Sequence, residues 1–219
     1  MRITLPSGTP AEIAGPALGE PTAGLVIAPD IFGLRPLYDE MVQHLADQWQ
    51  MTVCAVEPFP GRDLPADIEP RFAAVAELDD EAHLRDLLEG ADATGAARVS
   101  LLGYCLGGMY CHKAARDARF DRIVSFYGMI RVPDAWQGPA QGQPLEYLVN
   151  GHADRVLAIV GGHDHYTPEA DIDALADTGV TVVLYPEAEH GFAHDAARPN
   201  HRAEDAADAY ERSLMWLRQ

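Results

Sequence analysis

Apolar residues along this chain fall into short unbroken runs separated by longer mixed stretches. The runs within 24–29, 51–58, 97–103, 121–128, 155–162 and 180–186 predict strands. Their continuity, as in GLVIA and VLAIV, predicts burial on both faces. Helices are predicted between them. In 36–49, Leu37, Met41, Leu45 and Trp49 stand four apart on one helical face, with Pro36 suited to the first turn. The stretch 78–95 opens on acidic residues that suit a helix N-terminus, and 106–118, 168–179 and 203–218 complete the set. At the start, RITL and PAEIA across PSGT read as a hairpin. Pro- and Gly-rich patches at 58–70 and 133–144 read as loops. Strands alternating with helices predict an α/β architecture: a mostly parallel sheet with helices on both faces. In such sheets ligands bind at the carboxyl ends of the strands.

Composition narrows this further. A chain of 219 residues with 47% hydrophobic content suits one domain over 1–219 with a sizeable core. The apolar runs are far short of the ~20 residues needed to span a bilayer, and the N-terminus lacks a secretory h-region. Cys54, Cys105 and Cys111 make an odd count without CxxC spacing, which argues against a disulfide framework and for a cytoplasmic setting. A net charge of −18 argues against nucleic acid or anionic membranes as partners. A small anionic substrate would need a local arginine, because the global field opposes it. The surface pattern gives no dimer signal, so a monomer is expected.

Three chemically capable residues follow three predicted strands. Cys105 ends the run LLGYC, Asp164 lies in GGHDHYTP, and His190 lies in EAEHGFAH. The order nucleophile, acid, histidine is that of the α/β-hydrolases. GYCLGG then reads as the nucleophile elbow G-x-S-x-G with Cys for Ser. Gly103 and Gly107 remove side chains that would clash in so sharp a turn, and Gly108 would let the helix approach a neighbouring strand. At a helix N-terminus the thiolate of Cys105 is favoured. A free thiol (pKa ~8.5) is only a few per cent ionised at neutral pH, so a base is still wanted. His190 is the candidate base and Asp164 its orienting acid. The oxyanion donors expected are the N–H groups of Leu106, next after the nucleophile, and Ile31, in the loop APDIFG.

With these pieces in order, the sequence resembles the dienelactone hydrolase family over most of its length. The resemblance rests on APDIFGLRP, GYCLGG, FYG at 126–128, GGHDHYTP and EHGFAH. It implies a Cys–His–Asp triad (Cys105, His190, Asp164) that hydrolyses a lactone or ester through an acyl-thioester, without a cofactor. Family members that cleave dienelactone carry a Glu where Asp30 stands, so the resemblance gives Asp30 the part of an acid that regulates the thiol. They also hold the substrate carboxylate with arginines. His194 occupies one such position, and Arg71 lies in the region of the other. The resemblance therefore supports hydrolase chemistry better than it supports that substrate. Tyr104 and Tyr127 are further candidates for the pocket wall.

Other readings compete. Cys105 could be a buried structural thiol, as Cys54 and Cys111 are expected to be. His163, Asp164, His165 and His190, with His194, form a ligand-rich set that could serve a metal-dependent hydrolase. That reading leaves the glycine elbow unexplained. A catalytically silent hydrolase fold used for binding is the third. Arg35 and Glu57 are expected to brace their own loops.

Overall fold

A computed structural model describes residues 1–219, and the apolar runs form its strands. In chain order these are β1 (Arg2–Thr4), β2 (Pro10–Ala14), β3 (Gly24–Ala28), β4 (Thr52–Val56), β5 (Val99–Tyr104), β6 (Phe120–Phe126), β7 (Val156–Gly161) and β8 (Thr181–Tyr185). They make one sheet in the order β1-β2-β4-β3-β5-β6-β7-β8. β1 and β2 pair antiparallel as the expected hairpin, β2 pairs antiparallel with β4, and every other pairing is parallel. Every residue of β3, β5 and β7 is buried, so the sheet is covered on both faces at its centre.

The helices are α1 (Pro36–Trp49), α2 (Ile68–Val75), α3 (Asp80–Ala93), α4 (Leu106–Ala114), α5 (Pro144–Val149), α6 (Glu169–Asp177) and α7 (Ala203–Leu217). α1 buries Tyr38, Met41, Val42, Leu45, Ala46 and Trp49, which extends the predicted apolar face by one neighbouring row. It meets α7 through Trp49 and Tyr210, whose rings lie 6.3 Å apart. α4 is buried along all nine residues, packed between β5, β6 and α5. No helix is long and apolar enough to cross a membrane.

Two helices depart from the sequence reading. α2 begins inside the 58–70 patch, which reads as a loop from its Pro and Gly content, and runs on to Val75. Pro70 falls in the first turn of α2, where no carbonyl one turn back awaits its missing N–H, so the helix tolerates it. α5 follows the 133–144 patch and has Pro144 at its start for the same reason. A short 3-10 turn at Asp134–Trp136 packs against α2, with the Phe72 and Trp136 rings 5.5 Å apart. These additions build one wall of the site.

Candidate active site

Cys105 sits between the last residue of β5 and the first of α4, with φ 55° and ψ −113°. A non-glycine residue there is strained, and the strain is held by neighbours. Cys105 N–H donates to Phe126 O at 3.0 Å, and Cys105 O accepts the Met109 N–H that begins the helix. The glycines let the turn close. A Cβ on Gly107 would lie 1.9 Å from Ala28 O, and one on Gly103 would lie 2.3 Å from Gly107 O. Gly108 lies against Gly128 just past β6, where a Cβ on either would meet the other's backbone. Cys54 and Cys111 are different. Both are fully buried, and burial pushes the Cys54 thiol up to about 12 and that of Cys111 well above its ordinary value, which disfavours the thiolate.

The acid and the histidine come from adjacent parallel strands. β7 runs into Gly161 and Gly162, which lie close to the backbone of 186–189, and a Cβ on either would overlap it. Gly162 N–H donates to Tyr185 O at 2.8 Å, and His163 N–H to Ala188 O at 2.9 Å. The two loops are thus laced together. They set His190 Nδ1 2.8 Å from Asp164 Oδ2, while Asp164 Oδ1 accepts the Tyr166 N–H. His190 Nε2 is buried and finds no partner in the protein, and His190 and Cys105 line the same cavity. Burial alone would lower the His190 pKa. The charge on Cys105 and the hydrogen bond to Asp164 outweigh it and raise it to about 10.

The loop after β3 is tied from several sides. Asp30 accepts two hydrogen bonds from Arg35, at 2.6 and 2.8 Å, one from Phe32 N–H at 3.0 Å and one from His194 Nε2 at 2.8 Å. Burial would raise the Asp30 pKa. The bonds from His194 and Arg35 overcome this and hold the carboxyl well below the usual range. Asp30 lines the cavity, yet all its hydrogen bonds go to these partners rather than to the thiol. Gly33 N–H bonds Asp30 O, and Ile31 N–H has no acceptor within the protein. Leu106 N–H, first in α4, has no carbonyl one turn back. As expected, Glu57 braces loops, accepting from Leu34 and Phe59 N–H.

The cavity measures about 630 Å³. Arg71, Tyr104, Tyr127 and His194, expected at the substrate, do not line it. Arg71 spends its guanidinium on the carbonyls of Ile31, Leu64 and Pro65. The Tyr104 hydroxyl meets that of Tyr210, and its ring stacks on His194. Tyr127 and His194 bond each other behind His190. The cavity wall instead includes Phe32, Ile68, Phe72, Trp136 and Tyr166 on its apolar side. Arg198, half-buried over Gly191, also lines it and is matched by no carboxylate of the protein. No spacing rule singles out Arg198, and Phe72 and Trp136 reach the cavity only through α2 and the 3-10 turn. His163 and His165 lie exposed on the cavity, and no three His, Cys, Asp or Glu side chains are grouped to share a metal ion.

Solved structures repeat this architecture. A Klebsiella pneumoniae protein, provisionally described as a dienelactone hydrolase, matches with a TM-score of 0.90 at 24% identity, over 100% of this chain and 98% of its own. A dienelactone hydrolase-like promiscuous phosphotriesterase from metagenomic libraries matches at 0.77 and 20% identity, over 100% and 96%. At these identities the likeness establishes the α/β-hydrolase fold. Among sequences, a carboxymethylenebutenolidase of Pseudomonas putida is 30% identical over 228 residues, 96% of this chain and 88% of that protein. Carboxymethylenebutenolidase 2 of Cupriavidus pinatubonensis is 26% identical over 186 residues, 80% and 76% of the two chains. The model of the dienelactone hydrolase family runs from residue 10 to residue 219, across the elbow, the acid loop and the histidine loop, and the chain therefore belongs to that family.

Proposed function

We propose that this chain hydrolyses a lactone or carboxylic ester through an acyl-thioester on Cys105. One observation carries the reading: a cysteine held at positive φ on a helix N-terminus shares a cavity with a histidine tied to a buried aspartate. The Cys105 thiolate attacks the carbonyl carbon. Charge gathers on the carbonyl oxygen, facing the free N–H groups of Leu106 and Ile31. As the C–O bond breaks, the His190 imidazolium gives its proton to the departing oxygen. Neutral His190 then takes a proton from water, whose oxygen attacks the thioester. The C–S bond breaks and the thiolate–imidazolium pair is restored. Asp164 keeps the Nδ1 proton and the ring in place throughout.

Arg198 supports an acyl group that bears a carboxylate. In a chain of net charge −18 an anion needs a local cation, and this guanidinium is the one the cavity offers unpaired. Phe72 and Trp136, which line the same cavity, suit a flat, unsaturated portion of the acyl group.

Ester hydrolysis should survive a chelator and be lost on alkylation with iodoacetamide, the label mapping to Cys105. Activity that persists with Cys105 fully alkylated, or that falls with chelator, contradicts the thiol mechanism.

A further inference from the structure

Of Asp30, His194 and Tyr127 only Asp30 lines the cavity, yet the three are bonded to one another. The Tyr127 hydroxyl lies 2.6 Å from His194 Nδ1, and His194 Nε2 lies 2.8 Å from Asp30 Oδ2. All three residues are buried. Asp30, gripped by Arg35 through both oxygens, is an acceptor only. The Nε2 of His194 therefore holds the proton, and Nδ1 accepts from the Tyr127 O–H. The Tyr127 hydroxyl in turn accepts the His194 N–H at 3.2 Å.

The chain of bonds has two ends, and each touches a catalytic part. At one end the Tyr127 ring stands edge-on to the His190 ring, centroids 5.3 Å apart. Tyr127 holds φ 39°, so it shares with Cys105 the strained backbone of the site. At the other end Asp30 folds its own loop. Its side chain accepts Phe32 N–H, and its carbonyl accepts Gly33 N–H at 3.0 Å. In a trans peptide the C=O and the following N–H point in opposite directions. With Asp30 C=O turned toward Gly33, Ile31 N–H is turned away from the loop and left free. Arg71 fixes the far side of the same residue by donating to Ile31 O at 3.0 Å.

We propose that Tyr127, His194 and Asp30 are positioning residues: a buried relay that aims the Ile31 N–H at the oxyanion and registers it against His190. Asp30 thus acts on the loop backbone and not on the thiol. The inference rests on the proposed Cys105 chemistry.

The test uses variants that leave the local charge unchanged: His194→Leu, which has no donor for Asp30; His194→Gln, which retains one; and Tyr127→Phe. Acylation by a chromogenic ester is followed beside iodoacetamide alkylation of Cys105 across pH. Alkylation reports thiol ionisation and needs no oxyanion donor. The expected result is an acylation rate roughly 10- to 100-fold lower in His194→Leu at unchanged KM, since small misplacements at a reacting centre cost that much. His194→Gln should recover much of it, Tyr127→Phe should lose less than His194→Leu, and all alkylation profiles should overlay on wild type. Tyr127→Phe removes one hydroxyl and keeps the test in force if His194→Leu does not fold. Unchanged acylation in Tyr127→Phe and His194→Gln with the same rate in His194→Leu overturns the relay. So does a displaced alkylation profile. A wild-type protein without a Cys105-dependent acylation phase instead overturns the nucleophile reading itself.

Discussion

His190 Nδ1 lies 2.8 Å from Asp164 Oδ2, and its other ring nitrogen is buried with no partner in the protein. An imidazole so tied has one tautomer when neutral, with the free nitrogen available to the cavity. Asp164→Asn keeps the shape but replaces a charged, acceptor-only carboxylate with a neutral amide that can also donate to Nδ1 and favour the wrong tautomer. Turnover should fall roughly 10²- to 10⁴-fold with little change in KM. Steady-state kinetics on a short ester measure this; a loss confined to KM would assign Asp164 to binding.

The shift of His190 sets a pH dependence. Its pKa is raised to about 10, with burial opposing and the Cys105 charge and Asp164 supporting the rise. A raised histidine pKa means that the imidazolium persists at neutral pH and is lost as pH climbs through about 10. Protonation of the leaving oxygen should fail over that same range. NMR of the His190 ring should show the titration. In Cys105→Ala, where the contribution of Cys105 to the rise is gone, the midpoint should move down. A midpoint identical in both proteins would uncouple the pair.

Gly107 is the tightest point of the elbow. A Cβ there would lie 1.9 Å from Ala28 O, a backbone atom that cannot swing aside. Gly107→Ala should cost about 1–3 kcal/mol or more through overpacking and lower the unfolding temperature, and activity should fall further than stability explains. Gly179→Ala is the comparison. Its added Cβ meets nothing within 4 Å, so only the positive φ penalises it, and activity should be spared.

How far the sequence anticipates this site can be read from particular residues. Cys105, Asp164 and His190 announce themselves because each follows an apolar run, and parallel strands bring their carboxyl ends to one edge. The helix 36–49 is legible to the residue, from Pro36 at its start to Trp49 on its buried face. α2 is not, because a proline in a first turn looks like a proline in a loop. The bonds of His194 to Asp30 and Tyr127, and of Arg71 to Ile31, are also hidden, since each joins segments far apart in the chain. His194 and Asp30 are 164 positions apart in the chain. Arg198 carries no signal at all until the loop after His190 folds it over Gly191.

Arg198 gives a substrate prediction. Arg198→Gln should lower kcat/KM for an ester bearing a carboxylate by about 10- to 100-fold, the worth of a charge-assisted hydrogen bond. The matched neutral methyl ester should be nearly unaffected. Equal losses on both would mean that Arg198 supports the His190 loop rather than the substrate.

The most direct measurement is the stoichiometry of the first turnover. Wild type and Cys105→Ala are mixed with a chromogenic short ester in a stopped-flow instrument, and alcohol release is followed from the first milliseconds. The expected result is a burst near one equivalent in wild type, with the acyl group found on Cys105 by mass spectrometry, and no burst in the variant. Equal turnover in the two proteins would contradict the acyl-thioester and remove Cys105 from the chemistry.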